Sequence, residues 1–389
     1  MQTIMQKNNR QIGIFFISIL LLYLSGGALL PDMGILKFTP TIAGLMIAAL
    51  FAINILDGPS VIKSRFVSIV QGFLIYILFT NVILSSSEPK IWLSILKSCL
   101  WCCSFMAAYY MLGCNPLCYE KKLVKLFGIV SIIGIIGTIN MRLNPVMEIG
   151  VDELVGNNTV FYYVLVVPWL LLFKNKLLRR LSIAVLLILA VLSLKRSAVI
   201  IALSCSFAFF VFNQKKSNYR LLWIAVVIVL FCGIYKIVGN MAEVVNVTNR
   251  FEAMNEDEGN GRLDIYSDVF VQYLDSDLFS QLFGHGYNMV SVVLKGPSAH
   301  NDFLEVLYDY GIIGFIMFIY LHVRVAKTTY KLHKHRSSYF IPYMVSFIIF
   351  VVMSIVSHLI IYPTYFCCLV AFWAYIESMK MHNPSELYG

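Results

Sequence analysis

The sequence predicts an all-α polytopic membrane protein, with about 12 transmembrane helices and one larger extracytoplasmic loop. Three observations lead there. Of the 389 residues 59% are hydrophobic and only 13% charged, where soluble domains carry about 45–50% and about 25%. The apolar residues gather into runs of membrane-spanning length. The basic residues separate by side once those runs are threaded through a bilayer. The composition excludes a soluble enzyme, a disordered chain and a nucleic-acid-binding domain, so the net charge of +9 is no footprint for DNA or RNA. Nine cysteines, most of them inside apolar runs, support neither a disulfide framework nor a zinc site.

A membrane helix needs about 20 apolar residues. The first run, 11–30, follows Lys7 and Arg10 like the core of a signal peptide, but it is long for one and more spans follow, so it reads as an uncleaved first span. Further runs lie at 38–56, 66–85, 91–112, 121–140, 159–173, 181–194, 197–212, 221–239, 303–323, 339–358 and 363–378. The stretch 181–212 would measure about 48 Å as one helix, too long for a hydrocarbon core of about 30 Å. Lys195 and Arg196 fall at its middle, so it divides there into two short spans. The stretch 339–378 is also too long, and Pro363, which lacks a backbone N–H, sets the break near Tyr362-Pro363.

The positive-inside rule supports this threading. With both termini cytoplasmic, 20 of the 30 basic residues face inward with four acids, leaving 10 basic and 17 acidic residues outside. The +9 is then +16 inside and −7 outside. Joining 181–212 into one span would turn Lys215, Lys216, Arg220 and the cluster from Arg324 to Arg336 outward. The expected organisation is nine spans over 1–239, an extracytoplasmic loop with short helices over 240–300, three spans over 301–379 and a cytoplasmic tail over 380–389.

Candidate chemistry collects on the outer side. Lys195 and Arg196 stand at a turn where basic charge is unusual; they read either as a pair snorkelling to lipid phosphates or as an anion site. In Gly296-Pro297-Ser298-Ala299-His300-Asn301-Asp302, Ser298 or Asn301 is a candidate N-cap of the helix that follows. His300 then lies near a helix N-terminus, where the dipole disfavours imidazolium. It reads either as an interfacial, capping histidine or as a neutral general base. Asp302, Glu305 and Asp309 line one helix face; Asp309, about 10 Å into the membrane, needs a partner such as Arg142 or Lys236, or a substrate hydroxyl. Gly311 and Gly314 read as packing positions. Gly259-Asn260-Gly261 is a turn that presents Arg262 at the start of an expected helix 263–274. Arg262 reads as a phosphate ligand or as the ion-pair partner of Glu256, Asp257 or Glu258. Gly284-His285-Gly286-Tyr287-Asn288 is a second glycine turn that fits neither a Rossmann nor a P-loop cradle. No compact ligand spacing such as HExxH occurs, so no metal and no other cofactor is expected.

Gly284-His285-Gly286-Tyr287-Asn288, followed by the run from Ala299-His300-Asn301 through Gly311-Ile312-Ile313-Gly314, resembles the O-antigen ligase and O-antigen polymerase superfamily. Gly261-Arg262 and Lys195-Arg196-Ser197 are weaker echoes of the same family, and Tyr266 stands where tryptophan is common in it. The resemblance implies a GT-C-like, metal-independent membrane glycosyltransferase whose donor is an undecaprenyl-pyrophosphate-linked oligosaccharide. It implies His300 as catalytic base and Arg196, Arg262 and Lys195 as holders of the pyrophosphate. Asn301, Asp302, Asp309 and Asn288 are expected as acceptor contacts or structural support. The expected activity is polymerisation of repeat units on the outer face of the bacterial inner membrane, with membrane lipids and a chain-length regulator as partners and no nucleic acid. The alternatives are a ligase acting on lipid A-core and, from a different class, a flippase for lipid-linked oligosaccharides; the concentration of charged groups on one face and the lack of repeat halves count against the flippase.

Overall fold

The computed structural model describes residues 39–56, 64–84, 91–113, 116–143, 158–193, 195–213, 262–294, 298–360 and 362–388. The described elements are all helices, and no strand occurs among the described residues. In chain order they are α1 (Thr39–Leu56), α2 (Arg65–Leu84), α3 (Ile91–Gly113), α4 (Pro116–Leu143), α5 (Val160–Leu170), α6 (Lys176–Leu192) and α7 (Arg196–Asn213). After the loop come α8 (Arg262–Leu274), α9 (Leu278–Phe283), α10 (Met289–Val293), α11 (Asp302–Lys334), α12 (Phe340–Val356), α13 (Pro363–His382) and α14 (Pro384–Tyr388). The all-helical outcome follows from the composition: chain in hydrocarbon must satisfy its own backbone polar groups, and a helix does so within one segment.

Ten of the twelve expected spans coincide with described helices; 11–30 and 221–239 lie outside the described residues. Four helices, α2, α4, α7 and α11, are each long and apolar enough to cross a membrane. The stretch 181–212 does divide at Lys195, where α6 ends at Leu192 and α7 starts at Arg196. The Ser193 hydroxyl braces this turn, donating to the Ala190 carbonyl at 2.8 Å and accepting from the Lys195 N–H at 3.3 Å. The first of the two helices is longer than the apolar run suggests, since α6 takes in Lys176, Arg179 and Arg180 behind an Asn175 cap. The break before Pro363 also appears, as the loop between α12 and α13.

Contacts along the bundle show neighbouring helices running in alternate directions. Asn81 near the end of α2 bonds Ser98 of α3, while Gln71 bonds Tyr110. Thr138 late in α4 bonds Thr159 at the entry to α5, and Tyr163 bonds the Ser182 carbonyl of α6. Phe212, at the end of α7, meets Phe340 at the start of α12 and His333 at the end of α11. Glu120, early in α4, accepts from the hydroxyls of Tyr339 and Tyr375 at 2.6 and 2.5 Å. One end of the bundle therefore gathers the starts of α4 and α12 with the far ends of α7, α11 and α13. The opposite end carries His300.

The centre is α13, which is buried on all sides from Phe366 to Met379, and α5, which is buried along its whole length. A helix apolar all round belongs in such an interior. Two of its indoles are paired: Trp373 donates to the Ser346 hydroxyl and Trp169 to the Cys368 carbonyl, both at 3.0 Å. Cys99 and Cys102, a C-x-x-C spacing on α3, are free thiols buried in this core. The outward rows, Ile75, Leu78, Phe79 and Val82 on α2 and Ile129, Ile132 and Ile136 on α4, are exposed and apolar. Such rows suit lipid contact. Inside a bilayer close packing replaces the hydrophobic effect as the force between helices. Gly134 shows it: a Cβ there would stand 3.1 Å from the Tyr163 backbone nitrogen.

Candidate active site

The His300 end is assembled around the first turns of α11. Asn301 caps that helix, its side-chain oxygen accepting from the N–H groups of Phe303 and Leu304 at 2.9 and 3.4 Å. Of the two expected caps, Asn301 is the one used; Ser298 instead bonds Nδ1 of His358 at 3.2 Å. Glu305 reaches back to accept from the Ala299 N–H at 2.6 Å. Between these two restraints His300 adopts a left-handed backbone, with φ 53°. A residue with a Cβ keeps that conformation only where its surroundings impose it.

The ring of His300 lies against His358, with centroids 4.5 Å apart and planes 22° apart. His358 in turn lies against Tyr362 at 4.8 Å and 25°. Sequence reasoning missed His358. It sits past the end of an apolar helix, far along the chain from His300, with no motif around it, and only the packing of α12 against α11 brings it in. The loop that carries it is tied to α11 by Asp302, whose carboxylate accepts from the N–H of Leu359 at 3.0 Å and of Ile360 at 3.4 Å.

The acids expected as acceptor contacts or structural support hold neighbouring backbone in this fold. Asp302 holds Leu359 and Ile360, as just described. Asp309 accepts from the N–H groups of Asn288, Met289 and Val290 at 2.6, 2.9 and 3.4 Å, so the amides that open α10 partner its carboxyl. Lys236 lies outside the described residues. Asn288 adds a left-handed turn, with φ 59°, and a side-chain bond to Ser291 at 2.7 Å. Of this group Glu305 keeps one buried oxygen, Oε2, without a hydrogen-bond partner.

Gly311 gives the close backbone approach expected of it and, beyond that, is a backbone break inside α11, with φ 65° and ψ −173°. The carbonyls just before the break are taken up from outside the helix. The Tyr308 carbonyl accepts from the His285 N–H at 3.1 Å, the Asp309 carbonyl from the Gly286 N–H at 2.8 Å, and the Tyr310 carbonyl from the Tyr76 hydroxyl at 2.7 Å. The glycine turn at 284–286 is thus docked into the broken helix. A Cβ on Gly284 would fall 2.2 Å from the Asp309 oxygen, and one on Gly311 would fall 2.4 Å from the Leu282 oxygen. His285 is spent on this joint, stacked on Tyr308 at 4.2 Å and bonded to Ser276 at 3.1 Å.

Arg262 opens α8, as the Gly-Asn-Gly turn suggests, and α8 packs against α11. At Arg262 the description stops at the backbone, and Glu256, Asp257 and Glu258 lie outside the described residues. One turn on, Ile265 packs against the small cluster of Val269, Tyr273, Val290, Ala299 and Tyr308. The start of α8 therefore packs on the same small cluster that includes Ala299, the residue before His300. Arg196 reaches the same end by another route. From the Phe212–Phe340 contact, sixteen residues back along α7 and sixteen forward along α12 bring Arg196 level with Val356, just before His358. Lys195 and Arg196 are both half-buried.

Outside the spans, the carboxyl of Asp277 is held below its usual range by the amide and hydroxyl of Ser280, which it accepts as N-cap of α9. That cap is intact at neutral pH and is lost as acid titrates the depressed carboxylate. Burial pushes the Tyr287 hydroxyl up, beyond the reach of neutral-pH chemistry. Among the described residues no cluster of three His, Cys, Asp or Glu side chains could hold a metal ion.

Residues 181–319 match a family described as O-antigen ligase. The match runs from α6 into α11 and takes in Lys195, Arg196, Arg262 and His300, leaving His358 outside. Among curated proteins none matches the chain significantly. The superfamily expected from the glycine turn and the His-Asn motif is therefore supported over the segment that holds both.

Proposed function

We propose, for a membrane protein whose residues 181–319 carry the O-antigen ligase domain, that it is a glycosyltransferase joining undecaprenyl-pyrophosphate-linked repeat units on the outer face of the bacterial inner membrane. The observation that carries this reading is the constrained, half-buried His300, at the same end of the bundle as the turn of Lys195 and Arg196. In the proposed step a ring nitrogen of His300 takes the proton of an acceptor sugar hydroxyl. The hydroxyl oxygen forms a bond to the donor's anomeric carbon. The bond from that carbon to the pyrophosphate oxygen breaks, and the pyrophosphate leaves with the electron pair. Fixed cations stabilise that developing charge strongly where water is scarce. Arg196 and Arg262, with Lys195 as helper, are assigned to it; guanidinium groups suit phosphate oxygens. No metal and no cofactor enters this step.

A second reading is a ligase that moves the finished glycan onto lipid A-core; the family match fits either transferase. The flippase alternative finds no support in the family match. Deletion of the gene in the native host separates the two transferases. Loss of a polymerase leaves lipid A-core capped with a single repeat unit. Loss of a ligase leaves lipid A-core bare while long glycan accumulates on the lipid carrier. The polymerase reading predicts the first pattern, and the second would overturn it.

A further inference from the structure

We propose that His358 is a positioning residue for His300, holding the imidazole by ring stacking so that its nitrogen meets the acceptor hydroxyl. This rests on the transferase reading, with His300 as base. Burial decides which histidine does which: His358 is only 6% exposed, while His300 lies nearer the surface of the site. The more accessible ring is the one placed to meet a sugar. His358 is itself well held, by the Ser298 hydroxyl at Nδ1 and by the ring of Tyr362. It presents its ring to His300 at 4.5 Å with near-parallel planes. The backbone supports the same pairing. Asp302, two residues after His300, grips Leu359 and Ile360, immediately after His358. The two histidine segments are thus clamped together by a carboxylate that reaches no substrate, being fully buried. Residues 357–360, beyond the matched family segment, then belong to the site.

The test uses membranes from the native host lacking its own copy of the gene, complemented with each variant and supplied with lipid-linked repeat units extracted from that deletion strain. His358→Ala should lower the maximal rate of chain extension about 10- to 100-fold, the scale of a small misplacement of a catalytic group, with the KM for the lipid-linked units unchanged. His358→Phe keeps a stacking ring without the imidazole nitrogens and should restore the rate to within about threefold of the parent, if stacking is the working contact. Both variants should be present in the membrane at parental amounts. Full activity in His358→Ala would overturn the proposal. So would a His358→Phe variant as inactive as the alanine one, since the imidazole itself would then be required. If His358→Ala fails to accumulate, His358→Phe decides. Failure of the underlying reading looks different: His300→Ala would itself extend chains.

Discussion

The proposed base, His300, sits beside the capped start of α11, and each restraint there can be removed singly. Asp302→Ala leaves the buried N–H groups of Leu359 and Ile360 without an acceptor. The expected cost is about 1–3 kcal/mol, the penalty for leaving buried donors unsatisfied, measured as a lower midpoint of thermal unfolding in detergent. Asn301→Ala removes the cap of α11 and should cost about 1 kcal/mol by the same measurement. Much of this was legible at the residue level. Asn301 is a short polar side chain just ahead of an apolar run, and the His-Asn pair lies beside the Gly-Pro turn. The roles of Asp302 and Asp309 were not legible. An acid on an apolar helix face signals a need for partners, but those partners are backbone amides of distant turns, and amides leave no mark in a sequence. His358 was hidden for a related reason, since one histidine at the end of an apolar run looks interfacial until α12 is packed.

Among the elements, the joint between the 284–286 turn and the broken α11 has the sharpest requirement. Gly311→Ala puts a side chain on a left-handed backbone and drives its Cβ into the Leu282 carbonyl; Gly284→Ala does the same against Asp309. Each should cost more than about 3 kcal/mol and show as loss of folded protein from the membrane fraction. Gly286→Ala meets only ordinary contacts, none nearer than 3.8 Å, and should cost less than either, by the strain of its positive φ. The division at Lys195 was readable because length and charge both opposed a single span. The break at Gly311 was not, because a glycine in an apolar run marks close approach and broken backbone in the same way. The acceptors for its neighbours, Tyr76 and the glycine turn, come from elements far away in the chain.

For the whole molecule, the partition of charge and the alternation of helices describe one arrangement from two directions. The helix ends gathered around Glu120 carry Lys121, Lys122, Lys327, Lys331 and Lys380, and the other end carries His300 with Asp275 and Asp277. If the basic end is cytoplasmic, a membrane-impermeant maleimide applied to intact spheroplasts should label Asp275→Cys and spare Lys331→Cys; the reverse pattern would invert the topology. The all-helical class and most spans were legible from run length, because a continuous apolar run of about 20 residues satisfies its backbone in lipid by forming a helix. The packing order was not, since rows facing lipid and rows facing α13 are equally apolar. The central claim, that His300 is the base of a glycosyl transfer, is tested most directly by the glycan length distribution of the deletion host complemented with His300→Ala. Losing a general base costs about 10²–10⁴ in rate, so with the variant present at parental level the account predicts no extension beyond a single repeat unit. A length distribution matching the parent's would contradict it.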